Sequence, residues 1–267
     1  MITYSFINLK GGVGKTTISI NTAYTMAKAG LKVLFVDNDK QSNASMFFGK
    51  DNEKYTISNI FKSPNFATKN AIYPAVVLDK GYIDILPANM ELLPLNMQHK
   101  DIKFRERKRI LEAALSQVEM DYDVCIIDNA PDINFTVYNA LYATNQVIIV
   151  TNPDKFAEFG VDEMIEQFDD ILKDKELYDS FYNPDDPEYN FVLRGILLNK
   201  YVTNSFDKKK SVYPYFRTNI NLASSYTTNK RLLESIKTGK SVVELSPRCL
   251  FSRQIDKFVF ELLYMYK

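Results

Sequence analysis

The sequence predicts a doubly wound α/β fold: a mostly parallel sheet with helices on both faces, forming a single domain over residues 1–267. Three observations predict it. Residues 2–8, a glycine-rich loop, residues 16–29 and residues 31–37 read in order as strand, loop, helix and strand, which is a βαβ unit. Three further apolar runs, at 122–128, 146–151 and 191–198, lack polar alternation, as strands buried on both faces do. Finally, 267 residues with 46% apolar content suffice for one large core.

The glycine loop is Lys10-Gly11-Gly12-Val13-Gly14-Lys15-Thr16-Thr17, set between the first strand and the first helix. In that context it fits a phosphate-cradling loop. Phosphates need several backbone N–H groups at a helix start, where the helix dipole also favours negative charge. Gly11, Gly12 and Gly14 let the backbone approach closely and take positive φ. Lys15 then reaches the terminal phosphates, and the Thr16 hydroxyl is placed to ligate Mg²⁺. Gly30 is positioned to end the helix.

With Lys10 ahead of the glycines, the loop resembles the deviant Walker A motif of the ParA/MinD family of dimerising ATPases. The resemblance implies ATP and Mg²⁺ as cofactors and residues 11–17, with Val13 and Thr17, around the phosphates. It also implies that Lys10 crosses a homodimer interface to the partner's nucleotide, with Lys10, Lys15 and Asp39 as the catalytic set. The stretch Asp37-Asn38-Asp39-Lys40-Gln41-Ser42-Asn43 resembles the family's second motif, with Lys40 where proline is usual. By that resemblance Asp39 orients the attacking water and contributes to the metal site, and Asp37 supports the metal and phosphate surroundings. Lys40 replaces a rigid turn residue by a mobile cation beside Asp39, which bears on hydrolysis more than on binding.

The strand at 122–128 ends in Asp128, a Walker B pattern that directs an acid to Mg²⁺ beside Thr16 and Asp39. Asn129-Ala130-Pro131 follows, where the family carries a small or polar residue and then two prolines. Asn199 ends the strand at 191–198, and the resemblance implies that it reads the adenine ring. Residues 154–172 resemble the family's interface segment. Cys125 reads as a core thiol and His99, the only histidine, as a surface residue, so histidine catalysis and His- or Cys-rich metal sites are excluded.

Of the remaining stretches, 45–70 reads as short helices and 75–78 with 82–86 as a hairpin around Asp79-Lys80-Gly81. Residues 104–118 read as a helix whose Arg105, Arg107, Lys108 and Arg109 lie on a solvated face. No apolar run reaches the roughly 20 residues of a membrane span, and the start shows no signal peptide, so a cytoplasmic protein is expected.

Net charge is zero overall, but residues 194–267 carry 14 Lys/Arg against five Asp/Glu, and residues 151–193 carry three against 13. The basic quarter holds Lys208, Lys209, Lys210, Arg217, Lys230, Arg231, Arg248 and Arg253, a candidate surface for non-specific DNA. The final helix, at 252–266, lines up Ile255, Phe258, Val259, Leu262, Leu263 and Tyr266 on one face. On its polar side Arg253, Lys257 and Lys267 are nearly balanced by Asp256 and Glu261, so docking on the core is expected and stable membrane association is not.

The resemblance therefore implies a DNA-segregation ATPase for plasmid or chromosome partition. An ATP-sandwich homodimer would bind nucleoid DNA, and a ParB-type centromere-binding partner would release it by stimulating hydrolysis. With the loop ten residues from the start, the short form without an N-terminal helix-turn-helix is expected. A MinD-like membrane-positioning ATPase and a nucleotide-gated scaffold with negligible hydrolysis are the alternatives.

Overall fold

A computed structural model describes residues 1–63, 65–97, 107–152, 161, 192–199, 216–220 and 226–264. Among the described residues seven strands form one sheet: β1 (Ile2–Ile7), β2 (Lys32–Asn38), β3 (Tyr73–Val77), β4 (Tyr82–Leu86), β5 (Val124–Asn129), β6 (Gln146–Thr151) and β7 (Val192–Leu198). Their order across the sheet is β3-β4-β2-β5-β1-β6-β7, parallel throughout except for β3 at one edge. The expected five core strands are present. The hairpin at 75–86 also belongs to the sheet, because β4 pairs in parallel with β2 and carries β3 outward as an antiparallel edge.

Among the described residues the helices are α1 (Lys15–Lys28), α2 (Asn43–Phe47), α3 (Ile57–Lys62), α4 (Leu92–Asn96), α5 (Ile110–Ser116), α6 (Phe135–Tyr142), α7 (Tyr226–Thr238), α8 (Val242–Leu245) and α9 (Leu250–Tyr264). They cover both faces, and the strand side chains divide accordingly. Val33, Phe35, Val124 and Ile126 join the layer of α1, α8 and α9, while Leu34, Val36, Cys125 and Ile127 join that of α3 to α6. The two-residue alternation of strands is thus kept, with both faces apolar.

Two glycines have a backbone reason to be there. Gly30 takes φ 104° just past α1, where Gly30 N bonds Ala27 O at 2.9 Å and Leu31 N bonds Met26 O at 3.2 Å, a left-handed helix stop. At Gly81, a Cβ would collide with the Ala27 and Leu31 carbonyl oxygens, so the hairpin turn packs directly on the end of α1.

The last helix is docked over the residues described, with Leu263 half-buried and Tyr266 outside the described residues. Ile255, Phe258, Val259 and Leu262 are buried, and Phe258 meets Phe216 and Phe6 edge-on at 4.9 and 6.4 Å between centroids. Glu261, counted above with the charged side, is buried instead: its carboxylate accepts the Arg217 and Thr218 amides at 2.5 and 2.9 Å. Among the described residues no helix is long and apolar enough to cross a membrane.

The basic run before α5 departs from expectation. The helix covers Ile110–Ser116 rather than starting near 104, and residues 104–106 lie outside the described residues. Arg107 donates to the Phe61 carbonyl and lies 5.3 Å from the Phe135 ring centre. Lys108 and Arg109 sit over Tyr142 at 5.1 and 5.3 Å. Arg107 and Lys108 are thus half-buried against aromatic faces, while Arg109 is exposed, as expected, and pairs with Glu112 at 2.9 Å.

Candidate nucleotide site

Parallel pairing brings the carboxyl ends of β1, β2 and β5 to one edge, with Phe6 opposite Asp128, Asp37 opposite Asp128 and Asn38 opposite Asn129. In open α/β sheets that edge is where ligands bind. The glycine loop leaves β1 there. Gly12 and Gly14 take φ of 73° and 94°, and Gly14 stands at the head of α1 with no side chain capping the helix. The first-turn N–H groups therefore lack a side-chain cap and face outward as an anion site.

Asn8 shapes the loop, and nothing in the motif pointed to it. Its amide donates to Val150 O at 2.7 Å, its Oδ1 accepts the Lys10 N–H at 2.7 Å, and its carbonyl accepts Lys15 Nζ at 3.1 Å. Lys15 is buried, and that burial lowers its pKa against the opposing pull of Asp128, Asp39 and Asp132. The Lys10 side chain is exposed at the rim, while Val13 is buried beneath the loop.

The acids divide into two kinds. Asp37 is fully buried and turned inward: Oδ2 accepts from Ser45 N at 2.8 Å and Ser45 Oγ at 2.7 Å, and Oδ1 from Asp39 N at 3.2 Å. Burial pushes its pKa up to about 6 against those bonds. Through those bonds its carboxylate holds the Asp39 turn and the Ser45 backbone and hydroxyl. Asp39 lies nearer the surface, accepting Gln41 N on Oδ1 at 2.9 Å and Ser42 N on its carbonyl at 2.9 Å.

Asp128 is buried and accepts the Thr16 hydroxyl. Burial first, and then the Asp37 charge, push its pKa up to about 7. Its Oδ1 is buried with no hydrogen-bond partner among the described residues. An orphaned carboxylate oxygen beside a threonine hydroxyl suits a divalent cation, and Mg²⁺ is commonly held by one or two carboxylates plus substrate phosphates. The space fits phosphates as well, since a Cβ placed on Gly11 or Gly12 would meet nothing within 4 Å.

Two predicted residues have partners that the sequence did not indicate. Asn199 is buried at the end of β7, and its Nδ2 donates to Val13 O at 2.6 Å, which ties β7 to the glycine loop. Lys40, expected as a mobile cation, has a partner in the structure: its Nζ pairs with Asp132 Oδ2 at 3.3 Å.

The candidate DNA residues that are described lie on several elements. Lys230 is exposed on α7, and Arg231 beside it pairs with Glu234 at 2.9 Å. Arg248 is exposed ahead of α9, Arg253 is exposed within it, and the exposed Arg217 has its backbone held by Glu261. Lys208, Lys209 and Lys210, residues 154–160 and 162–172, and His99 lie outside the described residues.

Residues 1–179 match the AAA domain family AAA_31. Among curated proteins, the chain is 30% identical to the uncharacterized protein MJECL24 of Methanocaldococcus jannaschii, over 80% of this chain and 81% of that one. It is 28% identical to the sporulation initiation inhibitor protein Soj of Bacillus subtilis, over 90% of each. It is also 28% identical to the chromosome partitioning protein ParA of Myxococcus xanthus, over 88% of this chain and 78% of that one. Among solved structures, MinD of Pyrococcus horikoshii with Mg-ADP superposes with a TM-score of 0.72 at 20% identity, covering 99% and 96% of the two chains. That likeness shows the same fold.

Proposed function

Starting from a chain that belongs to the ParA family of P-loop ATPases, we propose that it is a DNA-segregation ATPase whose ATP-bound homodimer holds non-specific DNA. One observation carries the reading: the buried Lys15 and the acids Asp39 and Asp128 converge on an uncapped helix start whose rim holds a second, exposed lysine, Lys10. A monomeric phosphotransferase has no task for that rim cation. In a face-to-face dimer it supplies positive charge where negative charge develops.

ATP is the substrate, with its phosphates on the N–H groups of residues 11–17 and its charge met by Lys15. Bound Mg²⁺, held by Thr16 and Asp128, would neutralise phosphate charge. Asp39 orients a water whose oxygen bonds to the γ-phosphorus as the bond to the β–γ bridging oxygen breaks. The products are ADP, phosphate and a proton. Lys10 acts across the dimer, so Lys10→Ala leaves nucleotide binding intact and loses the ATP-dependent dimer. Lys15→Ala loses binding, and Asp39→Ala accumulates the ATP-bound dimer.

The basic residues of the final quarter supply the DNA surface, and a ParB-type partner triggers release. The likeness to the chromosome partitioning protein ParA of Myxococcus xanthus and to the virulence plasmid ParA family protein pGP5-D of Chlamydia psittaci supports this. The test is binding to a random-sequence duplex with ATP, ADP or no nucleotide across a salt series. Binding confined to ATP and falling steeply with salt supports the proposal. Absence of binding in every state overturns it, and capture by anionic vesicles in the ATP state would favour a membrane-positioning role.

A further inference from the structure

The two residues that flank Asp39 are both tied to the end of β5 and the segment that follows it. On one side, Asn38 Nδ2 donates to Asn129 Oδ1 at 2.9 Å and to Thr136 O at 3.0 Å. On the other, Lys40 Nζ reaches Asp132 Oδ2 at 3.3 Å. Asp132 is itself fixed, because the Asn134 amide donates to its other oxygen. Asn134 Oδ1 in turn accepts the Thr136 and Val137 amides at 3.0 Å and so caps α6.

The two ties differ in kind. The Asn38 tie is buried and neutral, so solvent and salt do not reach it. The Lys40 and Asp132 side chains are 26% and 43% exposed, so their attraction is screened by ions and broken at little cost. Asp132 also stands within electrostatic reach of Lys15, so the acidic end of the pair borders the phosphate site.

We propose that Lys40 and Asp132 form an ion-pair latch that holds the Asp39 turn against the α6 cap, making Lys40 a positioning residue whose closure is set by ionic strength. The latch rests on the ATPase reading above. Closed, it fixes the water-orienting carboxylate from both sides. Open, the turn keeps only the Asn38 anchor and its own local bonds.

The test is a double-mutant cycle on the full chain, using Lys40→Ala, Asp132→Ala and both together. Steady-state ATP turnover is read at 50 and 500 mM KCl, with ADP affinity measured by a fluorescent analogue. Each single variant is expected to lose about two- to five-fold in kcat at low salt, with ADP affinity unchanged. The double variant falls no lower than either single, Lys40→Arg retains wild-type turnover, and only paired proteins slow further at high salt. Losses that multiply in the double variant, or a Lys40→Ala protein with wild-type kcat and salt profile, overturn the latch.

Hydrogen exchange on the nucleotide-free protein gives a readout that needs no turnover. Lys40→Ala is expected to speed exchange at the Gln41 and Ser42 amides and to leave that of Ala88 unchanged. Equal exchange in variant and wild type overturns the latch even if the enzyme is inactive. A wild-type protein that binds no nucleotide would instead sink the ATPase reading.

Discussion

Asp37 and Asp128 stand opposite each other on neighbouring parallel strands, both buried, and the charge of the first adds to burial in raising the second. Without a cation, two such carboxylates at one sheet edge oppose each other. A raised native pKa means that the folded state holds protons that the unfolded state has released. Stability from that source is complete below about pH 4 and is lost as pH rises towards about 7. Asp128→Asn removes the larger share. In chelator, its stability relative to wild type should therefore improve by about 2–4 kcal/mol between pH 4 and pH 8. Denaturant titration at the two pH values checks this. Adding Mg²⁺ and ATP at pH 8 should stabilise wild type and leave the variant almost unmoved.

Ser45 serves two buried groups at once. Its hydroxyl donates to Asp37 Oδ2 at 2.7 Å and accepts the Ala88 amide at 2.9 Å. Ser45→Ala leaves an amide and a carboxylate oxygen short of partners, which costs about 2–4 kcal/mol. The Asp37 pKa should rise further in the variant, because one of the bonds that lower it is gone. Urea unfolding at pH 5 and pH 8 measures both effects, with the larger loss at pH 8, where Asp37 is ionised.

What the sequence made legible follows from range. β2, β5 and β6 were readable because a strand buried on both faces is a continuous apolar run, and β1 because it leads straight into the glycine loop. The glycine loop was readable because its φ values demand glycine in a fixed local order. The sheet pairing of β4 was hidden, since the alternation of Ile83 and Ile85 fits an isolated hairpin as well as a parallel neighbour of β2. Partners far apart in the chain were hidden for the same reason: Asn38 with Asn129, Lys40 with Asp132, and Asn199 with Val13. Glu261 was misjudged because charge on a helix face usually means solvent, and here two backbone amides need a buried acceptor.

The apolar side of α9 is committed to the core, and Phe258 is the residue that commits it. Phe258→Ala should cost about 3–5 kcal/mol in guanidinium unfolding, because it empties a site between Phe6 and Phe216. The outward side shows the Phe260 and Tyr264 rings 5.2 Å apart and tilted by 37°, with Arg253, Asp256 and Lys257 also exposed. A helix so divided inserts its apolar face into a bilayer only by unpacking the domain. Wild type should therefore stay in the supernatant when anionic vesicles are sedimented, with or without ATP. Pelleting in the ATP state would overturn this docking argument.

Asn199 separates two readings of one residue. An adenine reader contacts the base, whereas the bond from Asn199 Nδ2 to Val13 O acts on the loop that holds phosphates. If the loop tie is its main work, Asn199→Ala loosens the glycine loop, and every phosphate ligand loses affinity together. The loss should be about five- to ten-fold for ATP, on the scale of one buried hydrogen bond. Inorganic triphosphate, which has no base, discriminates. Under the loop reading its affinity falls by the same factor as that of ATP, and ATP keeps its preference over GTP. Under the base reading, triphosphate binding is unchanged and the preference for ATP over GTP collapses. Calorimetric titration of the three ligands into wild type and variant decides between them, and the position of the amide at 2.6 Å from Val13 O favours equal losses.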